Sequence, residues 1–117
     1  MTIAQVRDIL EARVLSGAEL LENEVHSACG SDLMSDVLAF VKDQSVLLTG
    51  LLNLQVVRTA EMMDMKCIVF VRGKVPDETI LSLAAARGMV VMSTGFRMYN
   101  ACGRLYAAGL VSLEGVR

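Results

Sequence analysis

The chain has 117 residues, the size of one compact domain, and 54% of them are hydrophobic, which is enough to build one core. Its 11 Lys and Arg stand against 13 Asp and Glu, a formal charge of −2, and no window gathers the cations into a stripe that neutralises several phosphates. That argues against nucleic acid, as does an aromatic content of only 4% with no Trp, which leaves nothing for bases to stack on.

The opening, MTIAQVRDIL, mixes acidic and polar residues into its apolar ones, so it predicts a short amphipathic helix over residues 2–10 and not a leader peptide. Residues 13–16 and 24–29 then read as two short strands divided by a polar turn at 17–23. Ser31 and Asp32 offer N-caps to a helix over about 32–41, whose apolar positions Leu33, Met34, Val37, Leu38 and Val41 keep helical spacing. Residues 45–49 form an apolar strand ending at Gly50, and Asn53 then caps a helix with Val56, Val57, Ala60 and Met63 on one face. The pattern repeats with a strand at 67–71, a turn at Arg72, Gly73 and Lys74, and a helix opened by Pro76, Asp77 and Glu78 and closed by Gly88. It repeats once more with a strand at 89–92, the loop Ser93, Thr94, Gly95, and a last helix to about residue 108.

Val46-Leu47-Leu48, Ile68-Val69-Phe70-Val71 and Val90-Val91-Met92 lack polar alternation, so these strands are expected to be covered on both faces by helices. Strands alternating with helices predict an α/β domain with a largely parallel sheet of about five strands and right-handed crossovers. No apolar run approaches the roughly 20 residues a bilayer-spanning helix needs, so no membrane is expected. The odd count of three widely spaced cysteines, Cys29, Cys67 and Cys102, points to reduced thiols and a cytoplasmic protein.

In such a sheet, ligands bind beyond the carboxyl ends of the strands, where helix N-termini present free amide groups. The residues placed there are Ser31, Asp32, Thr49, Gly50, Arg72, Lys74, Ser93 and Thr94, whose hydroxyls, glycine and two cations suit a small anion such as phosphate or carboxylate. The same residue types serve any tight strand-to-helix turn. A P-loop is not among them: Arg72-Gly73-Lys74-Val75 lacks the upstream glycine and the following hydroxyl. The dinucleotide fingerprint fails too, because Leu51 and Leu52 stand where closely approaching glycines are needed.

The remaining chemistry-bearing residues have ordinary structural explanations. His26 is the only histidine and reads as a strand or surface residue. The cysteines lack C-x-x-C spacing and read as buried thiols, so no cofactor is expected and an iron–sulfur cluster or other metal is disfavoured. Asp32 and Asp36 lie four apart, but acids at a helix start are favourable in themselves. Eight methionines are mostly core filler, although their excess fits an adaptable protein contact surface.

Three stretches belong together: Cys29-Gly30-Ser31-Asp32-Leu33-Met34-Ser35-Asp36-Val37-Leu38, then Leu48-Thr49-Gly50 with Gln55-Val56-Val57-Arg58-Thr59-Ala60, then Cys102-Gly103-Arg104-Leu105-Tyr106-Ala107-Ala108-Gly109-Leu110. With them the chain resembles the DRTGG domain family over about residues 14–110. The resemblance implies a fold like the N-terminal domain of HPr kinase/phosphorylase, in a family whose members also occur inside phosphate acetyltransferases and between CBS domains of inorganic pyrophosphatases. It implies an accessory or regulatory unit, often at a dimer interface, and stand-alone relatives encoded near iron-only hydrogenases. Where many members carry Gly-Asp-Arg after the third strand, this chain has Gly50-Leu51-Leu52.

The resulting expectation is a single, non-enzymatic, homodimeric regulatory module that binds a protein partner or a small anion, in a hydrogenase or iron–sulfur context. The competing expectation is a small phosphoryl-transfer or hydrolytic enzyme using Ser31, Asp32 and Lys74. A third is redox or metal chemistry at Cys29 and Cys102.

Overall fold

The computed structural model describes residues 1–39 and 45–112. The elements in chain order are α1 (Ile3–Leu10), β1 (Arg13–Ser16), a 3-10 turn (Ala18–Leu20), β2 (Ser27–Gly30), α2 (Met34–Val37), β3 (Ser45–Thr49), α3 (Leu54–Met62), β4 (Cys67–Phe70), α4 (Glu78–Ala86), β5 (Val90–Ser93) and α5 (Met98–Ala107). The five strands make one sheet in the order β1-β5-β4-β3-β2. Strands β2 to β5 are parallel, and β1 joins β5 antiparallel with Arg13 opposite Ser93. This is the largely parallel α/β sheet the strand and helix pattern predicts.

The strand order explains the layering. Each of β3, β4 and β5 is laid down on the same side of its predecessor, so right-handed crossovers send α2, α3 and α4 to one face. Their residues Met34, Val37, Val56, Val57, Ala60, Ile80 and Ala84 bury there against Leu47, Ile68, Phe70 and Val91. The opposite face is left to α1 and α5, whose Ile3, Val6, Leu10, Ala101 and Leu105 pack on Val46, Leu48, Val69, Val90 and Met92. Every residue of β3, β4 and β5 is buried, as the unbroken apolar runs require.

Four local expectations are corrected. The second strand begins at Ser27 and not at residue 24, because Glu24 bridges Thr2 and the Val25 N–H donates to the Met1 carbonyl, which ties this stretch to the N-terminus of the chain. The helix expected over 32–41 is confined to Met34–Val37 among the described residues, its end toward residue 41 lying outside them. Neither Ser31 nor Asp32 caps it; Leu33 occupies the cap position without a side-chain bond. Asn53 does stand at the N-cap of α3, but its side chain makes no capping bond. Asp77, by contrast, caps α4 by accepting from the Ile80 N–H at 3.0 Å.

Candidate functional site

The loops that leave β2, β3 and β4 meet at Gly50. Asp32, in the first loop, is drawn away from its own helix: its Oδ1 accepts from the Thr49 hydroxyl at 3.1 Å and from the Gly50 N–H at 2.7 Å. The Leu51 N–H in turn donates to Thr49 Oγ1 at 3.1 Å, closing the turn after β3. From the third loop, the Arg72 guanidinium lies against the same glycine. A side-chain carbon on Gly50 would stand 3.0 Å from Arg72 Nη2, 3.6 Å from its Nε and 3.6 Å from Asp32 Oδ1. A side chain at position 50 would press on the tip of Arg72 and stand in ordinary contact with the carboxylate.

Arg72 is held in place by its backbone. At φ 61 it occupies the left-handed region, which costs a bulky residue on the order of 1–3 kcal/mol. Two bonds across to the next loop hold it there: the Arg72 N–H donates to the Phe96 carbonyl at 2.8 Å, and the Gly73 N–H to the Thr94 carbonyl at 2.8 Å. The residue is exposed, and its guanidinium makes no hydrogen bond or ion pair among the described residues, which leaves its donors without a protein partner there.

The other predicted site residues do not join this cluster. Ser31 Oγ accepts from the Leu33 N–H at 3.0 Å and donates to the Leu33 carbonyl at 3.2 Å, so it serves its own turn. The Ser93 hydroxyl donates to the Lys74 carbonyl at 2.7 Å. The Thr94 hydroxyl, fully buried, donates to the Leu10 carbonyl at 2.6 Å and fastens α1 to the sheet. These bonds fill the gap between the loops after β4 and β5, where the chain turns to opposite faces and a crevice would otherwise open. Among the described residues, the Ser31 hydroxyl donates to the Leu33 carbonyl and not to a side-chain base.

Two cations at this end of the sheet were not anticipated. Arg13 stands level with Ser93 because β1 runs antiparallel, and Arg97 occupies the N-cap position of α5; both are exposed. An edge strand's direction leaves no mark in four residues, whereas Arg97 was readable from its place just before the last helix. Helices α3 and α5 both start without a side-chain cap and without an acid in the first turn, so their first N–H groups add positive potential.

Cys29 and Cys102 pack on opposite faces of the sheet, Cys29 toward the α2–α4 side and Cys102 toward the α1 and α5 side. Cys102 Sγ lies 3.7 Å from Met98 Sδ, and burial pushes its thiol above the usual range. Among the described residues, no group of three or more His, Cys, Asp or Glu is arranged to hold a metal ion, and no helix is long and apolar enough to cross a membrane.

A surface depression lies elsewhere, on the outer face of α5, with a volume of about 730 Å³ between Phe96, Tyr99, Gly103, Arg104 and Tyr106. Tyr99 and Tyr106 are 89% and 56% exposed, seven residues apart on one helical face.

A family model described as the DRTGG domain matches residues 5–108. A solved structure of the CBS and DRTGG domains of the regulatory region of Clostridium perfringens pyrophosphatase, complexed with the activator diadenosine tetraphosphate, is similar over 98% of this chain with a TM-score of 0.71 and 13% identity. The chain spans 49% of that neighbour's chain, and at this identity the likeness is one of fold. No curated protein sequence matches the chain.

Proposed function

The chain belongs to the DRTGG domain family, and from that premise we propose that it is a non-enzymatic regulatory module that senses a small anion at the carboxyl ends of β2, β3 and β4. One observation carries the reading: an exposed Arg72 whose guanidinium has no hydrogen-bond or ion-pair partner among the described residues, set against Gly50 beside the Asp32 carboxylate. A guanidinium offers a planar fork that matches phosphate or carboxylate oxygens in pairs. Lys74 in the same loop and the uncapped start of α3 add attraction for an anion. The neighbour's regulatory role and its phosphorylated activator lend the reading support from outside this chain.

The regulatory role also calls for a surface that passes the signal on. We assign it to the outer face of α5, where Tyr99 and Tyr106 flank Gly103, and take its occupant to be a second copy, making a homodimer.

The test is thermal unfolding at low ionic strength with inorganic phosphate, tripolyphosphate and citrate, since a ligand bound only by the folded state raises the midpoint. A concentration-dependent rise that is abolished in Arg72→Ala supports the reading, and no rise with any of the three anions removes it. Light scattering of the same sample is expected to return twice the chain mass of 12.7 kDa, and that of a single chain for Tyr99→Ser/Tyr106→Ser.

A further inference from the structure

The carboxylate at the site is a puzzle for anion binding alone. A naked polyanion on Arg72 would lie beside Asp32, which repels it, and the two groups stand within 3.6 Å of one point. Yet Asp32 is fixed there by two donors to a single oxygen, Oδ1, from Thr49 and Gly50. The exposed residue keeps Oδ2 without a partner among the described residues. A rigid acceptor therefore stands next to an open cationic fork, across one glycine.

Building on the anion-site reading, we propose that the ligand is a nucleotide, with phosphate oxygens on Arg72 and a ribose hydroxyl donating to Asp32 Oδ2. Such a ligand carries an anion and a hydrogen-bond donor a few ångströms apart, which turns the carboxylate from a repulsive neighbour into a recognition group. An anion without a donor satisfies only Arg72 and keeps the repulsion. Hydrogen bonds to a charged acceptor are among the stronger ones, so loss of the hydroxyl is expected to weaken binding about tenfold.

Titration calorimetry on the full chain tests this with three probes: ATP, 2′,3′-dideoxy-ATP and tripolyphosphate. The variant is Asp32→Asn, whose amide oxygen still accepts from Thr49 and Gly50 while its NH₂ replaces the free carboxylate oxygen. ATP is expected to bind the native chain about tenfold more tightly than the dideoxy nucleotide, and Asp32→Asn to bring the two together while tightening tripolyphosphate. Equal binding of ATP and dideoxy-ATP by the native chain overturns the proposal, as does a preference that survives in Asp32→Asn. If tripolyphosphate binds in either of those cases, the anion-site reading stands and only the nucleotide assignment falls; if none of the three binds, both fall. Arg72→Ala is expected to lose all three ligands, and binding unchanged in that variant also overturns the assignment.

Discussion

Asp32 shows why single residues at strand ends are hard to interpret from sequence. Next to Ser31 and before an apolar helical pattern, it has the signature of a helix cap. The Thr49 hydroxyl and the Gly50 N–H, 17 and 18 residues further on, claim its carboxylate instead. Sequence spacing identifies residues able to accept hydrogen bonds but not which donors the fold brings to them. Thr94 makes the same point: its place in the last strand-end loop suggested a ligand contact, and the structure spends its hydroxyl on the Leu10 carbonyl, 84 residues away. Of the three cysteines expected to be buried thiols, Cys67 is buried while Cys29 and Cys102 are half-buried, and burial pushes the Cys67 ionisation far up. The unfolded chain releases this proton near its ordinary value of 9.0 while the folded chain keeps it. The stabilising preference is therefore complete below about pH 9 and is lost progressively as pH rises beyond it, by up to about 1.4 kcal/mol per pH unit. Urea midpoints measured from pH 8 to pH 10.5 are expected to fall more steeply for the native chain than for Cys67→Val, and parallel slopes would refute the attribution.

Among the elements, the strands in the middle of the sheet were legible, as was the span of β1 at residues 13–16; where the edge strands pair was not. Strands β3 to β5 announce themselves by three to five consecutive apolar residues, and α4 by Asp77 at its cap. The edge strands β1 and β2 lie at opposite margins of the sheet although only a polar turn separates them in sequence. Their pairing depends on contacts with β5 and β3, which local pattern does not encode. At the end of β1, the register slips between Val14 and Ser16, and Gly17 follows at φ 83. A side-chain carbon there would stand 2.8 Å from the Met89 carbonyl oxygen and 2.9 Å from the Val90 Cα, both backbone atoms. Gly17→Ala must therefore strain its own backbone and push β1 off β5, and is expected to destabilise by more than about 2 kcal/mol. Chemical denaturation checks this; a loss below about 0.5 kcal/mol would show that the edge strand accommodates the change.

At the scale of the whole molecule, the crossovers after β2, β3 and β4 all turn one way, which stacks three helices on one face and leaves α1 and α5 on the other. The candidate site consequently lies where three successive loops leave the sheet in the same direction, and the divergence after β5 is closed by Ser93, Thr94 and Phe96. The sequence directs attention to the strand ends; which of the loops meet there follows only from the strand order. Anion binding at that meeting point is the central claim, and amide chemical shifts recorded during a tripolyphosphate titration test it most directly. The largest shifts are expected at Gly50, Leu51, Arg72 and Gly73, saturating together. Saturating shifts confined to α5, or none at Gly50 and Gly73 when binding is complete, would contradict it.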